Sequence, residues 1–394
     1  MSVFKSLVPI FILLTGSIYG YQKYELLPTS LIGGITFLPH LLAIMVLGLS
    51  IRFNRNSVFF YVVLVVIANA VLRLNWAVDD LSYGLLSAFL PLLLLLLTLL
   101  PERGIFSVKS IPAYALLLLS GVFSIWIVNA APPWAIQLLL SDWVPAQYFD
   151  WTPLPQTVLI ISITTFFYLL ILCILRPSPH MSAGFGVLFI LIVLMHFGDQ
   201  VRSLNVFSSA ALLMCMYAIM QESWRMAYLD ELTGLPARRA LREKFQKIGG
   251  LYTVAMLDVD FFKKFNDNYG HDTGDAVLRM IAAKMIKAPG GGLCYRYGGE
   301  EFCILFTGKN WKESRPYLEA LRESISDTPF VINRASRRKI DNTAKPRKIE
   351  SVTVTASIGV ADSREQASSP WDVLKLADKA LYRAKGKGRN CLSD

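Results

Sequence analysis

The hydrophobic and polar positions divide this chain into two halves of different character. Up to about residue 221, long apolar stretches follow one another, each near the roughly 20 residues that a helix needs to cross a bilayer. Eight of them predict transmembrane helices, at about residues 5–23, 31–51, 58–75, 83–100, 111–130, 156–175, 181–198 and 204–221. Beyond that point short apolar runs alternate with polar segments, a pattern typical of a water-soluble domain of strands and helices.

Charged residues are concentrated in the second half. Residues 1–221 contain 9 Lys and Arg and 7 Asp and Glu, whereas the rest of the chain contains 30 and 22. The basic residues of the first half predict its orientation, because Lys and Arg accumulate in cytoplasmic loops. With the N-terminus inside, the inner set is Lys5, Arg52, Arg55, Arg103, Lys109 and Arg176, and the outer set is Lys23, Arg73 and Arg202. This asymmetry and the even number of spans both place the second half in the cytoplasm, beside the lipid that surrounds the first half.

The junction between the halves predicts a continuous helix. Neither Gly nor Pro interrupts residues 221–228, and Gly234 and Pro236 mark a turn after it. We therefore divide the chain into a multi-span membrane domain at 1–221, a linker helix at 222–230 and a soluble domain at 231–394. The five cysteines lack metal-ligand spacing, and we expect no disulfide bond.

A strand that ends in acidic residues is the first candidate for chemistry. The apolar run at residues 252–257 leads directly into Asp258, Val259 and Asp260. A carboxylate at the end of a buried strand is costly unless it has a partner, and a hard cation is a common partner. Residues 261–267 then open a helix, whose first turn offers free N–H groups for a phosphate, with Lys263 as a nearby positive charge. We call the start of this helix the phosphate seat. Carboxylates that can bind a metal ion, next to this phosphate-binding position, predict a nucleoside triphosphate bridged by Mg²⁺.

A second acidic element lies about 40 residues further along the chain. Two apolar, strand-forming runs flank the turn Gly298-Gly299-Glu300-Glu301-Phe302. Glycine permits a tight turn and removes side-chain bulk, so the tip of this hairpin can approach a ligand with both carboxylates directed at it. An acidic turn alone would be no more than a solvated hairpin tip; the acidic strand end upstream makes a shared site the better hypothesis.

The polar segment after the first site favours guanine. Asn266 can donate and accept hydrogen bonds, and the Asp275 carboxylate can accept from the two donors that a guanine edge presents. The pattern predicts a polar turn over 266–275, followed by a helix over 276–287. In that case Asp275 could also serve as the N-cap of the helix. For His271 a structural role is the better hypothesis than catalysis.

Two further segments carry concentrated positive charge. A helix predicted at 371–385 ends near Lys385 and Arg389, which form either an ordinary solvated helix end or a clamp for a polyphosphate. Between strands predicted at 330–332 and 351–360, the insertion 333–350 is rich in Lys and Arg. It is either a solvated hairpin extension or a basic finger that contacts anionic lipid or a partner.

Taken together, the motifs resemble a known family. The ordered set comprises 230–235, 258–263, 266–267, 270–275, 296–302 and 377–390. Over about residues 228–391 this set is similar to the GGDEF domain, the catalytic module of diguanylate cyclases. The resemblance implies an α+β domain with a palm-like or ferredoxin-like sheet and flanking helices, joined to the α-helical transmembrane half. It also implies a bacterial inner-membrane protein whose first half acts as a sensor for an unknown signal.

The resemblance implies a role for each candidate residue. Asp258, the backbone carbonyl of Val259 and Glu300 would bind Mg²⁺ or Mn²⁺, and Glu301 would support the metal ions or the attacking hydroxyl. Asn266 and Asp275 would bind guanine. The triphosphate would be held by the amides of Phe261 and Phe262 and the side chains of Lys263, Lys385 and Arg389. Two GTP-loaded domains would meet as a homodimer and form cyclic di-GMP, with release of two pyrophosphates and without a nucleic-acid partner.

Two departures from the family pattern affect what we expect. Glu300 replaces the commoner Asp of the turn, a change the family accepts because both side chains are carboxylates. The positions of the family's product-inhibition motif, Arg-x-x-Asp, are occupied here by Pro289 and Gly292. Neither side chain can pair with the product, so we predict that this feedback site is missing.

Alternatives to a GTP-specific cyclase remain open at this point. One is a catalytically inactive receptor for GTP or a cyclic dinucleotide, which the complete metal and phosphate set argues against. Another is a cyclase that forms a mixed dinucleotide, which Asp275 argues against. In the membrane half, His196 and Asp199 either bind a ligand or simply lie at the interface.

Overall fold

The computed structural model describes residues 3–74, 79–198, 201–332, 350–364 and 369–394. The chain forms two compact units, Met1–Ser223 and Trp224–Asp394. After the roles predicted for them from the sequence, we refer to them as the membrane unit and the catalytic unit. Asp199 and most of the basic insertion, residues 333–349, lie outside the described residues, so the hypotheses about them remain predictions.

Within its described residues the membrane unit is entirely helical. Its α-helices are α1 (Val3–Lys23), α2 (Thr29–Arg52), α3 (Asn56–Arg73), α4 (Asp80–Leu99), α5 (Ile111–Ala130), α6 (Pro133–Leu140), α7 (Gln156–Leu175), α8 (Pro179–Phe197) and α9 (Val201–Tyr228). Seven of the described helices, α2 to α5 and α7 to α9, are long and apolar enough to cross a membrane, whereas eight spans were predicted. Helix α1, which covers the first predicted span, is not among the seven. The short helix α6 lies between the predicted spans 111–130 and 156–175, where no helix was predicted because eight residues are too few for a periodic signal.

The core of the membrane unit lies around α3, α4, α8 and α9. In the apolar stretch of α9, 72% of the residues are buried, whereas only 11% are buried in the stretch that contains α5. Apolar surface that the unit leaves uncovered faces outward, as expected where lipid is the solvent. Close packing depends on small residues: at Gly184 of α8, a β-carbon would lie only 2.7 Å from the Thr98 hydroxyl oxygen.

A buried group of polar side chains connects α3 with α9. Asn69 donates to the Ser208 hydroxyl at 2.8 Å, and Arg73 donates to the Asn205 side-chain oxygen at 2.6 Å. Asn205 in turn donates to the Tyr24 hydroxyl at 3.1 Å. We call Asn69, Arg73, Asn205 and Ser208 the asparagine cluster. Its members satisfy one another's hydrogen-bonding groups, which is the condition for burying polar atoms in an apolar surrounding.

The last helix of the membrane unit continues beyond it. Helix α9 runs without interruption to Tyr228, which confirms the continuous helix predicted at the junction. It ends in a turn in which the Asp230 side chain accepts from the Thr233 amide at 2.9 Å, and Gly234 adopts a positive φ of 69°. That backbone conformation is readily available to glycine and strained for other residues.

The catalytic unit is built on one mixed β-sheet. The strands are β1 (Tyr252–Val259), β2 (Leu293–Arg296), β3 (Glu301–Thr307), β4 (Phe330–Ile332), β5 (Glu350–Val352), β6 (Ala356–Asp362) and β7 (Leu392–Ser393). Five of them form a sheet in the order β2-β3-β1-β6-β7, antiparallel except for the β6–β7 pair, while β4 and β5 pair separately. The predicted α+β fold with a palm-like sheet is confirmed.

Helices cover both faces of this sheet. They are α10 (Arg238–Lys247), α11 (Phe262–Tyr269), α12 (His271–Lys287), α13 (Trp311–Ser326) and α14 (Pro370–Gly386). Alternate residues of β1 point to opposite sides: Leu257 packs with α11, α12 and α13, whereas Met256 packs with α10 and α14. Strand β1 is therefore buried on both faces, which explains its unbroken apolar sequence.

Two sequence-based boundaries are wrong. Helix α12 begins at His271, not at residue 276, and its N-cap is Gly270, so Asp275 is not a cap. The polar residues that suggested a turn lie at the end of α11 and in the first turns of α12, where polar side chains are tolerated. The apolar run at 351–360 is not one strand: it divides into β5 and β6, which belong to different sheets.

Candidate active site

The candidate site lies where β1 ends. Strand β3 pairs with β1 so that Asp258 is opposite Glu301, and the Val259 amide donates to the Glu300 carbonyl at 3.4 Å. Residues 293–296 and 302–305 form the predicted hairpin, with the glycines at its tip. The antiparallel register thus brings together two acidic segments that are far apart in sequence.

Asp258 is buried and already has a positive partner. Its side chain is 8% exposed, and its Oδ1 atom lies 2.9 Å from Lys385 Nζ at the end of α14. Burial raises the pKa of Asp258 above its ordinary value, although the bond to Lys385 acts in the opposite direction. The structure therefore pairs a predicted metal ligand with a predicted phosphate ligand.

The two glutamates of the hairpin add further negative charge. Burial, followed by repulsion from Asp258, raises the pKa of Glu300 above its ordinary value. The pKa of Glu301 is raised in the same way, with an additional contribution from Asp378. Crowded carboxylates with one lysine among them would be stabilised by another cation.

The chemistry of the oxygen atoms fits a hard divalent cation. Carboxylate and carbonyl oxygens are the ligands that Mg²⁺ and Mn²⁺ prefer, and Asp258, Glu300 and the Val259 carbonyl can supply them. Within the described part of the chain, no three acidic, histidine or cysteine side chains are already grouped around a single point. Because Lys385 is paired with Asp258, the carboxylates lie near one another without forming a complete set of metal ligands.

The predicted phosphate seat lies just beyond β1. Phe261, immediately before α11, has a positive φ of 55°, which turns the chain sharply so that the start of the helix follows directly on the strand. Lys263 is exposed on the first turn of α11. The Arg389 guanidinium lies over the Phe261 ring, 4.3 Å from its centroid, so two predicted phosphate-binding residues are in contact.

One buried acceptor at the predicted guanine site has no hydrogen bond. The Oδ1 atom of Asn266 is inaccessible to solvent and has no partner among the described residues. It is directed at Gly274, where a β-carbon would lie only 1.9 Å from it. Asp275 lies next to this glycine in the second turn of α12 and is half-buried. A buried acceptor without a hydrogen bond is costly, and an N–H group of a ligand would satisfy it.

The sequence suggested a cation as the partner of Asp260, but in the structure its partners are hydrogen-bond donors of the protein. Its Oδ1 atom accepts from the Ser357 hydroxyl at 2.6 Å, and Oδ2 accepts from the Thr355 hydroxyl at 2.8 Å. Oδ2 also accepts from the Asn390 amide at 3.0 Å. Protein donors therefore take the place of a cation at this carboxylate, because it lies past the end of the strand, between β6 and the segment after α14.

Arg296 has a role that residue patterns did not assign. It donates to the carbonyl of Gly299 at 2.7 Å and to that of Gly298 at 3.3 Å, and so holds the turn that carries Glu300. A third bond, of 2.7 Å, joins it to Asp230. Burial opposes ionisation of Asp230, but hydrogen bonds from Thr233 and Arg296 outweigh it and lower the pKa. The sequence signal was an arginine two residues before a Gly-Gly turn.

The comparison with known families identifies the part of the chain that contains this candidate site. Residues 227–391 match the family described as "Diguanylate cyclase, GGDEF domain". The catalytic unit of the chain is therefore a GGDEF domain, as its motifs predicted.

Individual relatives match the same part of the chain. The Response regulator PleD of Caulobacter vibrioides is 32% identical over 183 residues, which cover 44% of this chain and 37% of that protein. The Diguanylate cyclase VdcA of Vibrio cholerae is 37% identical over 168 residues, 42% of this chain and 46% of that protein. The chain thus spans less than half the length of these relatives. The crystal structure of the GGDEF domain of DgcB from Caulobacter crescentus, in complex with c-di-GMP, is 32% identical and covers 42% of this chain and 95% of that one, with a TM-score of 0.36.

Proposed function

We propose that this protein is a membrane-bound diguanylate cyclase, which condenses two GTP molecules into cyclic di-GMP and releases two pyrophosphates. One observation carries the proposal: the pairing of β1 with β3 places Asp258 opposite Glu301 and Val259 against Glu300, within a domain that matches the GGDEF family. The relative VdcA, described as a diguanylate cyclase, supports the same activity.

In this proposal Asp258, the Val259 carbonyl and Glu300 hold Mg²⁺ or Mn²⁺. A bound divalent cation would activate the attacking hydroxyl and neutralise the charge that develops on the phosphate oxygens. Glu301 supports this set from the neighbouring position of β3. The raised pKa values fit the assignment, because ionised carboxylates that repel one another gain most from a shared positive charge.

Lys385 changes partner when the site is loaded. Alone, it neutralises Asp258 at 2.9 Å. A cation bound to Asp258 would make the Lys385 ammonium group available to the triphosphate, together with Lys263 and Arg389. The amides of Phe261 and Phe262 at the start of α11 bind the same phosphates, because the first turn of a helix has no intrahelical acceptors for its N–H groups.

Guanine is recognised at the other end of the nucleotide. The orphan Oδ1 atom of Asn266 accepts one N–H of the base, and the Asp275 carboxylate accepts from the adjacent donors. Adenine lacks this pair of donors and would leave both acceptors unsatisfied, which is the strongest form of discrimination available to a small site.

Two copies of the catalytic unit complete the reaction. Each holds one GTP, and the two face one another in a homodimer. The 3′-hydroxyl oxygen of one nucleotide attacks the α-phosphorus of the other, the bond to the β-phosphate breaks, and pyrophosphate leaves. The same step in the opposite direction closes the ring.

We further propose that the membrane unit anchors and regulates the enzyme. The seven membrane-length helices support an inner-membrane location. With α1 counted as an eighth span, the loop charges support a cytoplasmic catalytic unit. Helix α9 belongs to the core of the membrane unit and continues to Tyr228, so a shift of this helix reaches the first residues of the GGDEF domain. The membrane unit would respond to an unidentified ligand or to the lipid itself.

The test is to incubate the full-length protein in lipid vesicles with GTP and Mg²⁺, and to measure cyclic di-GMP and pyrophosphate. We expect one cyclic di-GMP for every two pyrophosphates, no product with ATP, and no product after chelation of divalent ions. Tight binding of GTP or cyclic di-GMP without turnover would instead support a receptor. A mixed dinucleotide as main product would overturn the assignment of Asn266 and Asp275.

A further inference from the structure

We infer that Asp260 is a positioning residue, whose buried carboxylate holds the Arg389–Asn390 turn so that Arg389 stays at the phosphate seat. The inference rests on the proposed function only for the identity of the ligand, a nucleoside triphosphate. It assigns a task to an acidic residue that the metal-binding and base-binding roles leave unused.

The first support is the complete protein environment of Asp260. The residue is 6% exposed, and its two oxygens receive three hydrogen bonds of 2.6, 2.8 and 3.0 Å from Ser357, Thr355 and Asn390. Its own amide donates to the Thr355 carbonyl at 2.9 Å. A buried carboxylate with this many donors is a fixed anchor rather than an open ligand.

The second support is the conformation of the turn that Asp260 holds. Arg389 and Asn390 both have positive φ angles, of 67° and 45°, in the left-handed region that is unfavourable for residues other than glycine. Two successive residues of this kind persist only when their surroundings fix them. The Asn390 amide, which donates to Asp260, follows directly on Arg389, so loss of the carboxylate would release the strained pair.

The third support is the position of the Arg389 side chain. Its guanidinium covers the Phe261 ring at 4.3 Å, and Phe261 immediately follows Asp260 in the chain. Asp260 is therefore linked to both phosphate-binding segments. It is bonded covalently to Phe261, which leads into α11, and it accepts a hydrogen bond from Asn390 in the turn that carries Arg389. Phosphate ligands from two distant segments are held in register by a single carboxylate.

The experiment compares Asp260→Asn with a matched control in the full-length protein. Asparagine keeps the shape but replaces one acceptor by an NH₂ group that faces other donors. The control is Asp362→Asn: Asp362 is also buried, at 3% exposure, and also accepts backbone N–H bonds, from Trp311 and Arg364, at the other end of β6. Binding is measured with Mg²⁺ and guanosine 5′-(α,β-methylene)triphosphate, and separately with GMP.

We expect Asp260→Asn to weaken binding of the triphosphate analogue about 10-fold, while the affinity for GMP changes less than about 2-fold. Arg389→Ala should give the same loss, and the double variant should lose little more than Arg389→Ala alone, because the carboxylate acts through the arginine. In turnover, KM for GTP should rise more than kcat falls. Asp362→Asn should leave the ratio of the two affinities unchanged.

The inference is overturned if Asp260→Asn weakens GMP and the triphosphate analogue equally, or if its loss adds fully to that of Arg389→Ala. If Asp260→Asn does not fold, Thr355→Val removes one donor to the same carboxylate with little change in shape. It should reduce triphosphate affinity about 3-fold and spare GMP. Since these are binding measurements, they decide the role of Asp260 even if the protein makes no cyclic di-GMP.

Discussion

The membrane unit and the catalytic unit each contain a buried polar group, and the two are balanced in different ways. In the asparagine cluster, Arg73 donates to Asn205 and Asn69 donates to Ser208, so donors meet acceptors. At the end of β1, burial and then the charge of Asp258 raise the pKa values of Glu300 and Glu301, and the Asn266 oxygen has no partner within the described residues. We call a polar group closed when its members satisfy one another's hydrogen bonds, and open when charges or acceptors in it have no such partner. A closed group stabilises a fold, whereas an open group is suited to bind a ligand.

The largest expected effect follows from removing one carboxylate of the open group. Asp258→Asn and Glu300→Gln should each lower kcat for cyclic di-GMP formation by about 100-fold or more, since each removes charge that stabilises the transition state. The measurement is steady-state turnover of the full-length protein in vesicles.

A substitution in the closed group provides the contrast. Asn205→Ala should lower the stability of the membrane unit by about 1 kcal/mol, as a lost interhelical hydrogen bond does. Turnover of the folded fraction should fall far less than in Asp258→Asn. Equal losses of kcat in both variants would show that the two polar groups do not differ in the way described.

Filling the space at Gly274 should disturb the guanine site. A β-carbon there would lie 1.9 Å from Asn266 Oδ1, so Gly274→Ala must displace the asparagine. We expect GTP affinity to fall about 10-fold or more, measured by equilibrium binding. Gly249→Ala is the matched control, because a β-carbon at Gly249 meets nothing within 4 Å. Unchanged affinity in Gly274→Ala would separate Asn266 from nucleotide binding.

Replacing Asp275 should change the choice of base rather than the affinity for phosphate. Asp275→Ser removes the acceptor for two guanine donors, and we expect the preference for GTP over ATP to fall about 10-fold. Competition between the two nucleotides for the site measures this ratio directly. A preference equal to that of the unmodified protein would refute the role of Asp275.

The repulsion between carboxylates should be visible as a dependence of stability on pH. Because burial and Asp258 raise the pKa of Glu300 above its ordinary value of 4.5, the folded metal-free protein binds a proton more tightly than the unfolded chain does. This contribution to stability is present below the ordinary pKa and is lost as the pH rises through the raised value.

The corresponding measurement is thermal unfolding of the catalytic unit within the full-length protein, with chelator. Glu300→Gln should raise Tm by about 1 to 3 °C relative to the unmodified protein at neutral pH, and the difference should vanish at acid pH. Added Mg²⁺ should stabilise the unmodified protein more than the variant. A destabilised variant at neutral pH would mean that Glu300 is not under repulsion.

The smallest effect is expected from the reaction product. The loop that corresponds to the family's inhibition motif packs against other parts of the domain. Lys309 donates to the Gly290 carbonyl at 3.1 Å, and a β-carbon at Gly292 would lie 2.7 Å from Ile304. Cyclic di-GMP should therefore change initial rates by less than about 2-fold at concentrations that saturate the active site. Strong noncompetitive inhibition would reveal a second product site elsewhere.

The same contrast explains what the sequence could predict. Nucleotide chemistry needs particular residue types at particular spacings, so Asp258, Asn266 and the Gly-Gly-Glu-Glu turn could be selected as candidates, and strand β1 followed from its apolar run. The roles of Asp260 and Arg296 were not, because their partners at 390 and 230 are distant in sequence and depend on how the sheet edge is closed. The start of α12 was misplaced because its first turns are polar enough to resemble a loop.

In the membrane unit, sequence predicted helices but not their arrangement. Apolar length identifies a span, yet Asn69, Asn205 and Ser208 each looked like an isolated polar residue until packing brought α3 and α9 together. Lipid-facing and buried apolar residues also have the same composition, so the central position of α9 and the peripheral position of α5 could not be read from hydropathy.

The most direct test of the shared cation is the affinity for Mn²⁺ in the presence of the α,β-methylene GTP analogue, measured by electron paramagnetic resonance on the full-length protein. Asp258→Asn and Glu300→Gln should each weaken Mn²⁺ binding about 10-fold or more, and the double variant should be little weaker than either, because both ligands serve one ion. Wild-type affinity in either single variant, or losses that add in full, would contradict the account.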